Sequence, residues 1–436
     1  MSAVNHFINS QSKWKQRILP WIVCFSASLF FAYELLQLHV MNAIAPMLMR
    51  DLALNATQFG GLSATYLLAD VIFLLPAGII LDRFSVRKVI LVALFLCVIG
   101  ISGFCRVQSF QFACLFHFLS GIGNAFCFLS CMMLIARWFP KSKQAFIVGL
   151  MITMGMLGGV IAQRPFSILS EWYGWRQALF IDAIIGVFLF VLVFLFVQDA
   201  PCKNTSKEKK EKSDPFWKGM KKAASNAVNI YCGIYTCFLN LPLMIISAVW
   251  GTLFLTQVHH IPTSKSSFIV SMICMGTIFG SPIYGFLSDK IGRRFLPMLI
   301  GGVFSLTVML AIMFIPSPSE GLLILLFFLL GFFTSSQVIG YAVITESNPK
   351  EISGRSMGLA AFIIMGIPAI LQPITGKLLD WKWDGTIIDA VPYYSQSNYF
   401  MAFSIFPIAF LLALFALYRL CKIHTGPIRK VDEALS

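Results

Sequence analysis

Several ionisable side chains stand inside apolar stretches of this 436-residue chain, and any chemistry it performs is to be sought there first. In hydrocarbon such a group is costly unless it meets a partner or a water-lined path, which makes Glu34, Asp70, His117 and Arg164 the leading candidates. At about 100° per residue, Glu34 shares a helical face with Phe30, Gln37, Leu38 and Met41. A carboxyl beside an amide on one stripe suits binding of an amine or exchange of a proton. The alternative is a carboxyl bonded to a neighbouring helix for packing alone. Asp70 precedes Asp82 by twelve residues, roughly 18 Å of helix, and so lies near mid-span. It belongs to the same polar path or forms a structural contact between the second and eleventh spans.

His117, Ser120, Gly121 and Asn124 form a second polar stripe. Histidine exchanges a proton near neutral pH, so His117 is a candidate coupling group; otherwise it is a neutral hydrogen-bonding residue in a helix seam. In Gln163-Arg164-Pro165 the guanidinium has the planar fork that clamps a substrate carboxylate. Arg164 can equally snorkel to the interface or pair with Asp182. The second half offers neutral groups: Asn240 just before Pro242, Gln337 and Tyr341 four residues apart, and Gln372 before Pro373. Charges on one wall and neutral donors and acceptors on the other point to a small polar substrate.

The elements that must position these residues are membrane helices. The chain is 58% hydrophobic and 12% charged, with a mean hydropathy of +0.80, which excludes a water-soluble core. Twelve apolar runs are long enough to cross roughly 30 Å of hydrocarbon: about 18–46, 57–81, 88–106, 111–136, 145–168, 177–198, 229–253, 266–288, 295–315, 321–344, 356–378 and 398–420. No cleavable signal is expected, because the first apolar run is too long and follows a polar start. Most of the 33 Lys and Arg fall at the termini and in the loops on the same side, which places both termini of a multi-pass membrane protein in the cytoplasm. The net charge of +14 is explained by topology and anionic lipid, with no nucleic-acid partner. Eleven cysteines and six histidines show no metal-ligand spacing, so neither a metal nor another cofactor is expected. No nucleophile, histidine and acid share a loop, which argues against an enzyme.

A lysine-rich stretch divides the chain into a first bundle at 1–200, a cytoplasmic basic linker at 201–225, and a second bundle with its tail at 226–436. The halves repeat. Gly78, Asp82, Arg83 and Arg87 close the second span; Gly285, Asp289, Lys290, Gly292, Arg293 and Arg294 close the eighth, 207 residues later. In each copy a glycine permits close helix approach, and an aspartate one turn on can cap the next helix or pair with the cations. Pro140 and Gly149 recur as Pro349 and Gly358, and Gln163 as Gln372, at an offset of 209. Parallel six-span repeats are a layout of secondary transporters.

On these motifs the chain resembles the major facilitator superfamily. The second loop matches the family pattern G-x-x-x-D-[RK]-x-G-[RK]-[RK] throughout; the first has Ser85 for the later glycine and Val86 for the first closing cation. Gly174-Trp175-Arg176 is also familiar in that family, and His117 stands where the family often has arginine. Phe31-Ala-Tyr-Glu34-Leu-Leu-Gln37-Leu-His39 and Trp138-Phe-Pro-Lys141 resemble the phagosomal nutrient transporters of intracellular bacteria, which import amino acids or nucleosides. The resemblance implies an all-α integral membrane fold of twelve transmembrane helices in two pseudo-symmetric six-helix bundles. It also implies a monomeric secondary transporter rocking about a midplane site, with proton-coupled uptake of an amino acid or nucleoside. The loops around Asp82 and Asp289 would latch the cytoplasmic side in the outward-open state. The rivals are a proton-driven exporter of drugs, siderophores or metabolites, and a nontransporting membrane sensor.

Overall fold

The computed structural model describes residues 2–199 and 216–425, apart from the side chains of 2–17, 75, 82, 141, 142, 145, 216–219, 350, 351, 353, 424 and 425. The linker expected at 201–225 therefore lies outside the described residues as far as 215, as does the tail beyond 425. Among the described residues, twelve helical segments are apolar and long enough to cross a bilayer. The fold is all-α apart from one short hairpin and membrane-spanning, in two bundles of six.

The first bundle comprises α1 (Ser2–Asp51), α2 (Ala56–Arg83), α3 (Val86–Phe104), α4 (Phe110–Trp138), α5 (Lys141–Tyr173) and α6 (Trp175–Phe196). Local sequence fixes the starts. Asn55 and Gln58 form a reciprocal capping box at α2, and Ser85 caps α3 by accepting from the Lys88 N–H. Gly174, at φ 81°, makes the sharp turn between α5 and α6. The second half begins with α7 (Phe216–Ser225). Its first span joins α8 (Ala227–Leu241), a π-helical segment Pro242–Trp250, and α9 (Gly251–Val258). Then follow α10 (Thr263–Ile291), α11 (Phe295–Phe314), α12 (Glu320–Thr334), a 3-10 turn Ser335–Gln337, α13 (Val338–Glu346) and α14 (Lys350–Trp381). A hairpin of β1 (Ile387–Ile388) and β2 (Val391–Pro392), unannounced by the hydropathy pattern, leads to α15 (Gln396–Phe403) and α16 (Ile405–Thr425).

The bundles join through α2 against α14, α5 against α10, and α1 against the π segment and α9. These pairings are tight at one end only. A Cβ at Gly60 would lie 2.5 Å from the Gln372 carbonyl oxygen, and one at Gly376 would collide with the Ala56 backbone. Further along, a Cβ at Gly366 would be 3.9 Å from Val71, and Gly78 and Gly358 have nothing within 4 Å. On the other pair, a Cβ at Gly159 would sit 3.2 Å from Cys274 Sγ, whereas Gly149 and Gly285 again face open space. The halves are therefore closed at the end carrying residues 52–55, the far end, and splayed at the end carrying the Asp82 and Asp289 loops, the basic end.

Candidate functional site

Within the first bundle, α1 presents its polar side chains to α2, α3, α4 and α6. Glu34 is fully buried; its Oε2 accepts from the Tyr66 hydroxyl at 2.7 Å, Cys97 lies against the carboxyl, and Oε1 has no partner. A Cβ at Gly123 would come within 2.5 Å of that oxygen, so the glycine of α4 makes room for the acid. One turn on, Gln37 donates to Asp182 of α6, whose backbone oxygen also accepts from the Tyr33 hydroxyl at 3.1 Å. Asp182 Oδ1 is likewise buried without a partner. Asp70 is buried, with Asn124 of α4 beside its carboxyl. His117 is buried between the Tyr66 and Phe104 rings, with centroids 5.3 and 5.5 Å away.

The structure thus gathers Glu34, Gln37, Asp70, Asn124 and His117 in one bundle and adds Asp182 to them. Arg164 stays apart. It is exposed and stacks over Phe268 of α10 at 5.1 Å, so the proposed pairing with Asp182 does not form. No Lys or Arg is buried among the described residues. Carboxyls withdrawn from water with no counter-charge make a site that favours a cation, whether a proton or an amine.

The second bundle is neutral at its centre. Gln337 donates to Asn240 at 3.2 Å, linking the tenth span to the seventh, with Tyr341 half-buried one turn beyond. Gln372 donates to the Met244 carbonyl at 2.8 Å. That carbonyl belongs to the π segment, whose Pro242 lacks an N–H and whose wide turn leaves oxygens for side chains to bind.

The far-end closure was not read from the sequence. Gln163 donates to the Ser247 carbonyl at 2.6 Å and accepts from Asn42 at 2.7 Å. Asn42 also donates to Thr252 Oγ1 and accepts from its N–H, both at 2.8 Å. Asp380 of α14 takes the Thr57 N–H at 2.8 Å, the Thr57 hydroxyl at 2.5 Å, the Ala56 N–H at 3.2 Å and the Tyr394 hydroxyl at 2.7 Å. A polar residue inside a span hints at such contacts, but nothing local names partners more than two hundred residues away.

At the basic end each loop is tied within its own half. Ser85 donates to Asp199, which also accepts from the Arg87 N–H at 3.0 Å, and the Arg87 guanidinium lies over Phe194 at 5.2 Å. The expected cap by aspartate is supplied at α3 by Ser85, the very residue that departs from the repeat; the Asp82 side chain lies outside the described residues. Arg83 is exposed. In the second copy Gly292, at φ 66°, ends α10, and Arg294 binds Asp289 and, at 2.5 Å, Glu346. Those two acids, Glu346 foremost, raise the affinity of the Arg294 guanidinium for its proton above its usual value. Arg293 is exposed. Trp175 and Arg176 both bind Asp51, at 2.9 and 2.6 Å, fixing the start of α6 to the end of α1.

A family model, Major Facilitator Superfamily, matches residues 21–373 and, in a second match, 237–430. The chain belongs to that superfamily. Among curated proteins, this facilitator is 24% identical to a probable hexose phosphate transport protein of Chlamydia pneumoniae, over 87% of this chain and 90% of the relative. It is 23% identical to the probable galactarate/D-glucarate transporter GudP of Bacillus subtilis, over 83% and 85%. Among solved structures, a bacterial homologue of the human lysosomal transporter Spinster, in an inward-facing and unoccupied conformation, matches with a TM-score of 0.74 at 17% identity, covering 93% of this chain and 98% of that one. That likeness shows the fold. The facilitator is a membrane-embedded secondary transporter of small solutes.

Proposed function

We propose that this facilitator takes up a small neutral or cationic polar solute, an amino acid or nucleoside, together with a proton. The observation that carries the reading is the charge of the interior: Glu34, Asp70 and Asp182 are buried, and no lysine or arginine is buried among the described residues. A hexose phosphate or an aldarate, the solutes named for the relatives, calls for a cationic clamp, and a guanidinium supplies it best. Here Arg164 is exposed and stacked over Phe268, and His117 is packed between rings. Asn124, Asn240, Gln337 and Tyr341 supply neutral donors and acceptors instead, which suit an amino acid or a nucleobase. The likeness of residues 31–39 to the phagosomal nutrient transporters supports the same class.

With the basic end in the cytoplasm, as the distribution of Lys and Arg supports, the present conformation is inward-open. Solute and proton then enter when the far end opens and the basic end shuts, around a site held between the bundles. Proteoliposomes loaded at different internal pH, offered labelled amino acids, nucleosides, hexose phosphates and glucarate, test the proposal. Accumulation of an amino acid or nucleoside driven by an inward proton gradient is the expected result. Exchange of hexose phosphate for inorganic phosphate regardless of gradient would overturn it, and solute loss driven by the opposite gradient would make the chain an exporter.

A further inference from the structure

A cavity of about 750 Å3 opens on the outer flank of the first bundle, away from the polar centre. Val98, Ile99, Phe112 and Phe116 give it apolar walls between α3 and α4, and Arg106 and Ser109 line it from the turn that joins them. Its size is that of a small-molecule pocket. Its position is not that of a solute site, because α3 packs mainly against α4 and α6 of its own bundle and Phe112 is 60% exposed on the side that meets lipid. The turn at residues 105–109 puts the polar part at the far-end membrane surface and the apolar part in the hydrocarbon below.

Arg106 is set for an anion. Arg50 and Arg176 at the same end pair with Asp51, and Lys265 pairs with Glu320. Arg106 has no carboxylate partner among the described residues; its guanidinium donates to the Ser102 carbonyl at 2.6 Å and lies 5.9 Å from the Phe180 ring centroid. One edge of the guanidinium is thus fixed and its remaining N–H groups are available. Beside it, Ser109 holds the cap position of the 29-residue α4 without a side-chain cap bond, so the first amides of that helix add their partial positive charge.

An exposed cation over a lipid-facing apolar trough is complementary to one kind of molecule. We propose that this groove binds an anionic phospholipid, its phosphate on Arg106 and the amino end of α4, one acyl chain lying between Ile99 and Phe112. The occupant seals the seam between α3 and α4 in the leaflet at the far end. A soluble anion would gain the arginine but leave the apolar walls unfilled.

The full-length chain, purified from bilayers containing phosphatidylglycerol and phosphatidylethanolamine in equal amounts, tests this by native mass spectrometry of retained lipid. Phosphatidylglycerol should be retained over phosphatidylethanolamine by about fivefold, the preference expected of one cation at a headgroup. Arg106→Gln should abolish that preference and Arg106→Lys should keep most of it. Ile99→Trp, which fills the trough, should reduce retention of both lipids. Equal retention of the two lipids by the unaltered chain, or an undiminished preference in Arg106→Gln, would overturn the proposal. So would displacement of the lipid by millimolar inorganic phosphate, which would make the site a free-anion site. None of these readouts depends on which solute is carried.

Discussion

Replacing Asp380 by Asn should open the far end. Asp380 belongs to the second bundle, yet three of its four hydrogen bonds come from α2 of the first: the Ala56 and Thr57 amides and the Thr57 hydroxyl. The fourth donor, Tyr394, accepts the Ala56 N–H at 2.9 Å and so belongs to the same lock. The carboxylate stands at the amino end of α2, where the helix dipole favours negative charge by about 0.3–1 kcal/mol. Asparagine keeps the shape but removes the charge, and it turns one acceptor into a donor facing other donors. A hydrogen bond to a charged group contributes about 1.5–3 kcal/mol. Because Asp380 is half-buried and partly screened, the lower end applies, and the net loss should be about 2 kcal/mol.

That loss falls on the present conformation, since separating the bundles at this end breaks the three bonds from α2 in any variant. The equilibrium should therefore move toward the far-end-open state by roughly 30-fold. Spin labels at Glu171 and Ser397, exposed positions at the far end of opposite halves, report the separation in a background freed of native cysteines. Asp380→Asn should lengthen the distance distribution, and Thr57→Ala, which removes one bond of four, should lie between it and the parent. An unchanged distribution in Asp380→Asn would refute the reasoning, because among the described residues the Thr57 amide and hydroxyl bond to Asp380 alone, even though Tyr394 also accepts from the Ala56 amide.

Glu34→Gln should eliminate accumulation driven by a proton gradient while leaving solute exchange intact, as counterflow in proteoliposomes would show; loss of both would assign Glu34 to packing or to the solute itself. Arg294→Gln should cost about 1 kcal/mol of stability, the group being partly exposed, and the difference should stay flat between about pH 6 and 9. The guanidinium's proton affinity is raised in the folded chain, so its contribution is complete throughout the neutral range and is lost only in strong alkali, which thermal unfolding across that range checks. Valine at both Gly149 and Gly358 should leave folding and solute binding near normal but slow net transport at least tenfold, measured as binding against uptake.

Much of the architecture is legible in the residues. Apolar runs of sufficient length mark each span, and the recurrence of Gly78-to-Arg87 as Gly285-to-Arg294 marks the duplication, because backbone hydrogen bonds leave helices as the way through lipid. The proline at 242 signalled freed backbone in the seventh span but not that a nine-residue π segment follows it. Polar contacts were harder. Glu34 and Gln37 share a stripe, as the helical period requires, yet the period cannot tell whether the stripe meets Tyr66 and Asp182 or another helix. Arg164 and Asp182 look like a pair on a line of text; in space Gln37 reaches Asp182 first. Asp380 and Thr57 sit near span ends, where polar residues are unremarkable, and only assembly of the two halves reveals what joins them.

The duplicated glutamines show how the two halves divide their work. Gln163 and Gln372 hold equivalent places in α5 and α14, and both donate to carbonyls of the π segment, Gln163 to Ser247 and Gln372 to Met244. Gln372 binds within its own half; Gln163 binds across the interface. Opening the far end must therefore release Gln163 while Gln372 keeps its hold, so the π segment travels with the second bundle. The duplicated glycines carry the complementary argument. Gly78, Gly149, Gly285 and Gly358 have open space where a Cβ would stand, so nothing in the present conformation requires their smallness. They cluster at the basic end, where the bundles are apart. Their smallness is needed once that end closes and α2 meets α14, and α5 meets α10, as closely there as they now do at Gly60 and Gly159.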